Sequence, residues 1–394
     1  MSIFYYVGLD ISKFKHDGYI IDESGNIINK GFTFQNDQNG FDYLKSILLS
    51  LGSSKENVFI GLESTGHYGK LLKKFLTSHN YNFMEINPIH TANFRKALNV
   101  AKVKNDRIDS KTIITTMREL GFKKKESRKP EYDKLKLLYR EHIDYTNQRA
   151  KCFVKLNNYC DKYFPELQSI IQIKSEICKY LIYEFPNPKS IAKENSDELY
   201  SKLYSISRGK LSKTSFNSII DLSNKTIGNY DETEYQLAIL TINFIEIFDK
   251  ALKKIELQIT NILEKIDTPL KEIKGVGIVS IAAIIGEYGL FETFNNPEQA
   301  LKFAGIIPNL DESGTKSTYG KMAKCGSHLL RRTLMNLMLP LRNSQPYFYE
   351  LYHKKRQKGK HNHVACSHMV NKFLRIIFYL TKNNKSFNPS VLNW

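Results

Sequence analysis

Cysteine is scarce in this chain and badly placed for either of its usual structural uses. The five cysteines, Cys152, Cys160, Cys178, Cys325 and Cys366, are odd in number and include no CxxC pair. That excludes a disulfide framework and a zinc finger, and it points to a reducing compartment, with cytoplasm the default. No uninterrupted apolar span is long enough for a bilayer, and the opening MSIFYYVGLD lacks a secretory signal, so no membrane partner is expected. Acids are in deficit as well. Forty Asp and Glu stand against 58 Lys and Arg, a formal net charge of +18. Such a balance calls for a polyanionic partner, and nucleic acid is the commonest one.

What is present is otherwise ordinary. With 41% hydrophobic and 25% charged residues in 394, the chain can build two or three globular domains. The run IFYYVGL (residues 3–9) reads as a buried strand that delivers Asp10 at its C-terminal end. A half-polar strand (HDGYIID), a Gly-containing turn at Glu23–Asn26, a third strand near Lys30–Gln35 and a helix over 40–51 follow. NVFIGLEST is a second buried-type strand, ending at Glu63; then come a helix over 67–79 and a strand at Tyr81–Ile86. This order predicts an α/β domain with a mixed sheet. Asp10 and Glu63 should then share the sheet edge where open α/β sheets bind ligands.

The stretch VAKVKNDRIDSKTI (100–113) adds Asp106 and Asp109, three residues apart, among Lys102, Lys104 and Arg107. On a helix, that spacing puts both carboxylates on one face about a turn apart, where they repel unless a cation intervenes. Hard ions such as Mg²⁺ are held by carboxylate oxygens, and the neighbouring cations suit a phosphate arriving at the metal. The plainer alternative is a helix N-terminus, capped by Asp106 and favoured by the dipole at Asp109. With Asp10 and Glu63 there are four carboxylates for one or two ions, and metal pairs about 4 Å apart serve in-line phosphoryl transfer.

Beyond Phe122, KKKESRKPEYDK reads as a charged linker, and helical patterning then runs to about Ile266. Leu252, Ile255, Ile259, Ile262 and Ile266 form a heptad seam, with a looser one through Leu135, Leu138, Tyr145, Cys152, Leu156 and Tyr159. An antiparallel hairpin or an oligomer contact follows, with a small helical insertion at 165–232. Gly275 and Gly277 mark a helix-hairpin-helix type of turn whose backbone N–H groups suit a phosphate; a plain interhelical turn is the alternative. The next block holds Ser313 in an ESG turn, then Lys316, Lys321, Lys324, Arg331 and Arg332 with no acid after Glu312. From His353 to Arg375 there are seven Lys and Arg, Lys358 and Lys360 among them, and no acid. Runs so one-sided fit phosphate contact.

Six motifs in order, VGLDISK, LESTGHY, the INP turn, KNDRIDSKTI, IKGVGIVSIAAIIGE and FAGIIPNLDESG…KMAKCGSHLLRRTL, resemble the transposases of the insertion sequence 110 family, related to the Piv invertases. The resemblance covers nearly the whole chain, least specifically in its helical middle. It implies an N-terminal RuvC-like (RNase H-like) domain with an Asp-Glu-Asp-Asp tetrad, a helical coiled-coil linker and a mainly α-helical C-terminal transposase domain with a catalytic serine. On this chain those are residues 1–125, 126–268 and 269–394. The tetrad falls on Asp10, Glu63, Asp106 and Asp109, and the serine on Ser313. Mg²⁺ is the implied cofactor, with Mn²⁺ as an alternative. The implied partners are donor and target DNA, a structured bridge RNA and further copies of the chain, from dimer to tetramer, acting at the nucleoid. Cys325, Ser327, His361 and His363 are small departures that touch nothing catalytic.

A serine hydroxyl is a poor nucleophile without a base or metal, and no histidine stands near Ser313 in sequence. The expectation is therefore a composite centre in which the metal-bearing acids activate Ser313, and the resemblance implies a 5′-phosphoserine intermediate. Two rivals remain at this point. One is an RuvC-like nuclease or junction resolvase that uses metal-activated water, with Ser313 a mere turn hydroxyl. The other is a non-enzymatic nucleic-acid binder whose acids only cap helices.

Overall fold

The computed structural model describes residues 4–52, 54–63, 66–98, 106–122, 128–313 and 316–389. The chain divides into two compact units, Met1–Ser127 and Arg128–Trp394.

The first unit is built on a five-stranded sheet in the order β3-β2-β1-β4-β5. Strands β1 (Tyr5–Ile11), β2 (Lys15–Asp22) and β3 (Ile27–Gln35) form an antiparallel meander. β4 (Val58–Glu63) and β5 (Asn82–Ile86) then run parallel to β1. The two apolar runs, in β1 and β4, are neighbours near the middle of the sheet, because only there are both faces covered. One face carries Val7, Leu9, Ile20, Ile60 and Leu62 into a core with α1 (Gln38–Ser50) and α2 (Lys70–Ser78), through Phe41, Leu44, Leu72 and Leu76. The other face receives α4 (Asp106–Leu120), whose Ile113 and Met117 are buried with Ile86. Between them α3 spans Pro88–Leu98. The expected mixed-sheet α/β domain is thus observed, and its strand order is that of the RuvC-like, RNase H-like fold.

His16 on β2 is fully buried in this unit, its ring 5.1 Å from that of Phe34. Burial lowers its pKa from the usual 6.5, outweighing Asn36 and Asp17, which pull the other way. The ring is neutral in the fold and readily protonated once unfolded. Its contribution to stability is therefore complete above pH 6.5 and lost as pH falls below that value toward the depressed folded pKa. Over that window one such proton costs at most about 1.4 kcal/mol per pH unit. In pH-dependent thermal melts, His16→Leu should remove this component; an unchanged slope would show that His16 does not contribute.

The second unit hangs on two long helices, α5 (Pro130–Tyr163) and α9 (Glu232–Leu263). His142–Glu256, Arg149–Asp249 and Lys162–Glu234 pair across them, numbers rising on one as they fall on the other. The helices are therefore antiparallel, the hairpin expected of the two seams. Two details differ from the sequence reading. Pro130 opens α5 instead of lying in a linker, since a missing N–H is harmless in a first turn. In the α9 seam Leu263 is buried and Ile262 only partly so, because the buried residues step by 4 from Ile259 rather than by 3. Three short helices, α6 (Glu176–Glu184), α7 (Ser196–Ile206) and α8 (Lys213–Lys225), fill the insertion and pack with the far ends of α5 and α9.

At the other end of the hairpin stand α10 (Ile278–Tyr288), α11 (Pro297–Ala304), α12 (His328–Ser344), α13 (Pro346–Gln357) and α14 (Asn362–Lys382), sharing one core with α5 and α9. α10 lies so close to α5 that a Cβ on Gly286 would stand 2.7 Å from the Lys136 amide nitrogen. The contact is locked by buried Glu287, which accepts from Tyr139 and Arg140 and pairs with Lys136 at 2.9 Å. Burial alone would raise the Glu287 pKa, but these partners overcome it and hold the carboxyl below its usual value. Among the described residues no helix is long and apolar enough to cross a membrane.

Candidate catalytic acids and the serine hairpin

Gly8 of β1 and Gly61 of β4 are direct register partners. A Cβ on Gly8 would lie 2.1 Å from the Ser110 carbonyl oxygen, and one on Gly61 2.9 Å from Ile113 Cγ2. The two glycines let α4 sit directly on the sheet, a familiar reason for glycine inside a strand. The direction of α4 follows from its contacts. Ser110 lies over Gly8, whereas Arg118, two turns later, stacks on Tyr6 at 5.3 Å. The helix therefore runs against β1, and its first turn points to the end of the strand that carries Asp10.

Side chains two apart on a strand share a face. Asp10 thus lies on the face of Gly8, and Glu63 on the face of Gly61, which is the face α4 covers. Both are half-buried, and Asp109, near the start of α4, is 6% exposed. Ser110 fixes the level of that turn by donating to the carbonyl of Asp17, the register partner of Asp10. Asp106 is the first residue of α4 and Arg107 the second. Topology therefore carries Asp10, Glu63 and the first turn of α4 to one end of one sheet face. Among the described residues no group of three or more His, Cys, Asp or Glu is arranged to hold a metal ion. Lys102 and Lys104 lie outside the described residues.

Two neighbours of these acids were not evident in the sequence. Thr91 of α3, 1% exposed, places its Oγ1 3.1 Å from Glu63 Oε1 and 3.0 Å from the Pro88 carbonyl. Asp17, beside Asp10, accepts a hydrogen bond from Thr33. No local motif marks either one; only the pairing of β4 with β5 and of β1 with β2 brings them in.

In the second unit Ser313 ends β6 (Pro308–Ser313) and pairs with Lys316, the first residue of β7 (Lys316–Met322). Glu312 and Ser313 of the expected ESG turn are thus strand residues of a two-stranded ladder, which the β-branched and aromatic KSTYG segment favours; Gly314 lies outside the described residues. The base of the hairpin is braced. Arg331 Nη1 donates to the carbonyls of Ala304 (3.0 Å) and Cys325 (3.4 Å). Gly305, at φ +68°, passes where a Cβ would stand 1.9 Å from the Cys325 oxygen. Arg331 is thus engaged within the chain, and Lys321 lies on β7.

Gly277 caps the start of α10 with open space around it, while Gly275, at φ +100°, would bring a Cβ to 2.9 Å from the Pro340 carbonyl. Only a short 3-10 turn (Pro269–Glu272) precedes them, so these glycines lead into one helix rather than joining two. Beside that helix start lies a cleft of about 230 Å³, lined by His142, Thr146, Ser280, Arg332 and Asn336. Arg332 also donates to Asn147 at 2.8 Å. Lys324, Lys358 and Lys360 are exposed.

The strand order and the helix-covered mixed sheet place the first unit in the RuvC-like, RNase H-like fold class. A family model of the DEDD transposases of IS110 matches residues 7–165. A second, described as Transposase IS116/IS110/IS902 family, matches residues 267–353. Together they span more than half of the chain and both units, and the chain belongs to the IS110 family of insertion-sequence transposases. It is accordingly an enzyme of DNA cleavage and rejoining, with DNA as substrate, and its DEDD domain is of a kind associated with divalent metal. A search of curated proteins finds no match to the chain.

Proposed function

We propose that this transposase cuts and reseals DNA through a metal-holding tetrad, Asp10, Glu63, Asp106 and Asp109, and a serine nucleophile, Ser313, guided by a structured bridge RNA. The observation that carries the first half is the course of α4 over Gly8 and Gly61, toward the strand ends that bear Asp10 and Glu63. The donor set fits a hard cation such as Mg²⁺, since every donor is a carboxylate oxygen. A cation bound there would lower the pKa of a coordinated hydroxyl and offset the charge of the scissile phosphate. Thr91 orients Glu63, and the seating of α4 sets the positions of Asp106 and Asp109.

In the covalent step Ser313 Oγ bonds to phosphorus and loses its proton, while the P–O3′ bond breaks and the 3′ oxygen leaves as a hydroxyl. In the reverse sense a 3′-hydroxyl of the partner strand attacks that phosphorus and the serine oxygen leaves. One phosphodiester replaces another, so no ATP is consumed. Residues 1–125 act as the catalytic domain, 126–268 as a helical linker and 269–394 as the transposase domain. The last grips phosphate through the start of α10 with Gly275 and Gly277, through Arg332 at its cleft, and through Lys316, Lys321, Lys324, Lys358 and Lys360. Lys102, Lys104 and Arg107 serve the same purpose in the first. Sequence choice is delegated to base pairing, which suits abundant cations without a base-reading helix.

The test is direct. Purified protein, with the RNA that copurifies, is mixed with Mg²⁺ and end-labelled DNA, and covalent protein–DNA adducts are scored after denaturation. Free cleavage without adduct would support the hydrolytic alternative, and neither cleavage nor adduct the pure binder. Binding should also weaken steeply with salt, log K against log salt falling with a slope steeper than about −4, as expected for five or more phosphate contacts. A flat dependence would contradict the electrostatic grip.

A further inference from the structure

Between β1 and β2 the chain turns through Ser12, Lys13 and Phe14, a place where glycine, asparagine or aspartate is the usual choice. Phe14 is instead 71% exposed, the most exposed aromatic ring among the described residues. The turn that carries it is braced. Ser12 Oγ donates to the Lys15 carbonyl, the Asn36 amide nitrogen to the Phe14 carbonyl at 2.8 Å, and Asn36 Nδ2 to the Lys13 carbonyl at 3.2 Å. Cations stand on both sides in sequence. Lys13 Nζ lies 4.8 Å from the ring centroid, and exposed Lys15 meets Asp17 at no closer than 4.0 Å. A held, exposed ring between two lysines has the make-up of a base-stacking platform, where a base lies on the π-face and its phosphates on the cations. A second aromatic follows the other acid. Tyr68, 36% exposed, comes five residues after Glu63, its ring 4.2 Å from that of His67, with Lys70 two residues on. Gly69 joins this segment to the first, since a Cβ there would stand 3.0 Å from Ile11 Cδ1 at the end of β1.

We propose that Phe14 is a positioning residue on which an unpaired base near the scissile phosphate stacks, with Tyr68 as a second stacking surface. Phe14 follows Asp10 by four residues. Their Cα atoms are therefore at most about 14 Å apart, the length of about four stacked nucleotides. A base inside a duplex is already stacked on its neighbours, so the platform selects a strand that has left its complement. Strand exchange supplies one, because a cut end must unpair before it joins a partner. Stacking also does what charge alone does not. Lysines hold a strand at any point along its uniform backbone, whereas a base on Phe14 fixes which phosphate lies over the acids. The role in catalysis rests on the cleavage centre proposed at Asp10 and Glu63; the stacking itself is read without it.

The probes are a short single-stranded oligothymidylate and an abasic strand of equal length and charge, titrated into the full chain. Trp394 is the one tryptophan of the sequence, so Phe14→Trp combined with Trp394→Phe gives a fluorophore at the turn alone. Oligothymidylate should quench it and the abasic strand should not. Phe14→Ala should weaken oligothymidylate binding about fivefold or more, as for loss of one stacked base, and leave abasic binding unchanged. With Mg²⁺ and saturating end-labelled DNA, Phe14→Ala should cleave roughly tenfold or more slowly, and Phe14→Tyr should restore the rate. No quenching, or equal quenching by both strands, would overturn the platform. Cleavage by Phe14→Ala at the parental rate would overturn the positioning role. Asp10→Asn in the fluorescent background keeps the two readings apart. Quenching with cleavage lost supports both, whereas quenching with cleavage retained supports the platform and refutes the acid centre.

Discussion

Ser313→Ala is expected to abolish the protein–DNA adduct, with strand rejoining reduced on the order of 10³-fold or more, as for removal of other covalent nucleophiles. The fold should survive, because the ladder between β6 and β7 pairs Ser313 with Lys316 through the backbone, which alanine keeps. Binding to DNA should survive as well, since alanine leaves every cation in place, Lys316 included. Ser313→Cys should retain the ability to form an adduct at reduced rate. Rejoining at the parental rate by Ser313→Ala would refute the serine mechanism and favour attack by water.

Gly8→Ala should be nearly as damaging by a different route. The new methyl group would stand 2.1 Å from the Ser110 carbonyl, a backbone atom with no rotamer to yield. Overpacking of this kind costs about 2–3 kcal/mol or more, against less than about 1 kcal/mol gained from a stiffer unfolded chain. The alternative to that cost is displacement of α4, which carries Asp106 and Asp109. A shift near 1 Å at reacting groups costs roughly 100-fold in rate. Cleavage should therefore fall even at temperatures where the protein remains folded, while DNA binding holds. Gly277→Ala, with open space and an ordinary φ, should leave stability almost unchanged. Normal cleavage by Gly8→Ala would mean that the seating of α4 does not position the acids.

Much of the first unit was legible because its signals are local. Two unbroken apolar runs, each ending in an acid, become the neighbouring β1 and β4. The ND-R-ID spacing becomes the first turn of α4, since a helix repeats at the interval separating those acids. Contacts that depend on register were not legible. Thr91 reaches Glu63 only because β5 pairs with β4, and nothing in the INPIHT segment encodes that partner. Arg331 reads as a phosphate contact because its neighbours are basic, and nothing in its sequence shows that its Nη1 also donates to the carbonyls of Ala304 and Cys325. In the same way, α9 carries a buried row and an outward row, Leu237, Leu240, Phe244 and Ile247, that stays exposed. Periodicity marks apolar residues and cannot say which of two rows a neighbour will cover.

The glycine pair beneath α4 has a consequence at the level of populations. Because no side chain intervenes between helix and sheet, a single substitution at either glycine can disarm the chemistry without touching the cations that hold nucleic acid. Such a copy would still occupy its DNA and then sit there inert. In a cell carrying many copies of the element, a few of these defective products would act as dominant brakes on their intact siblings.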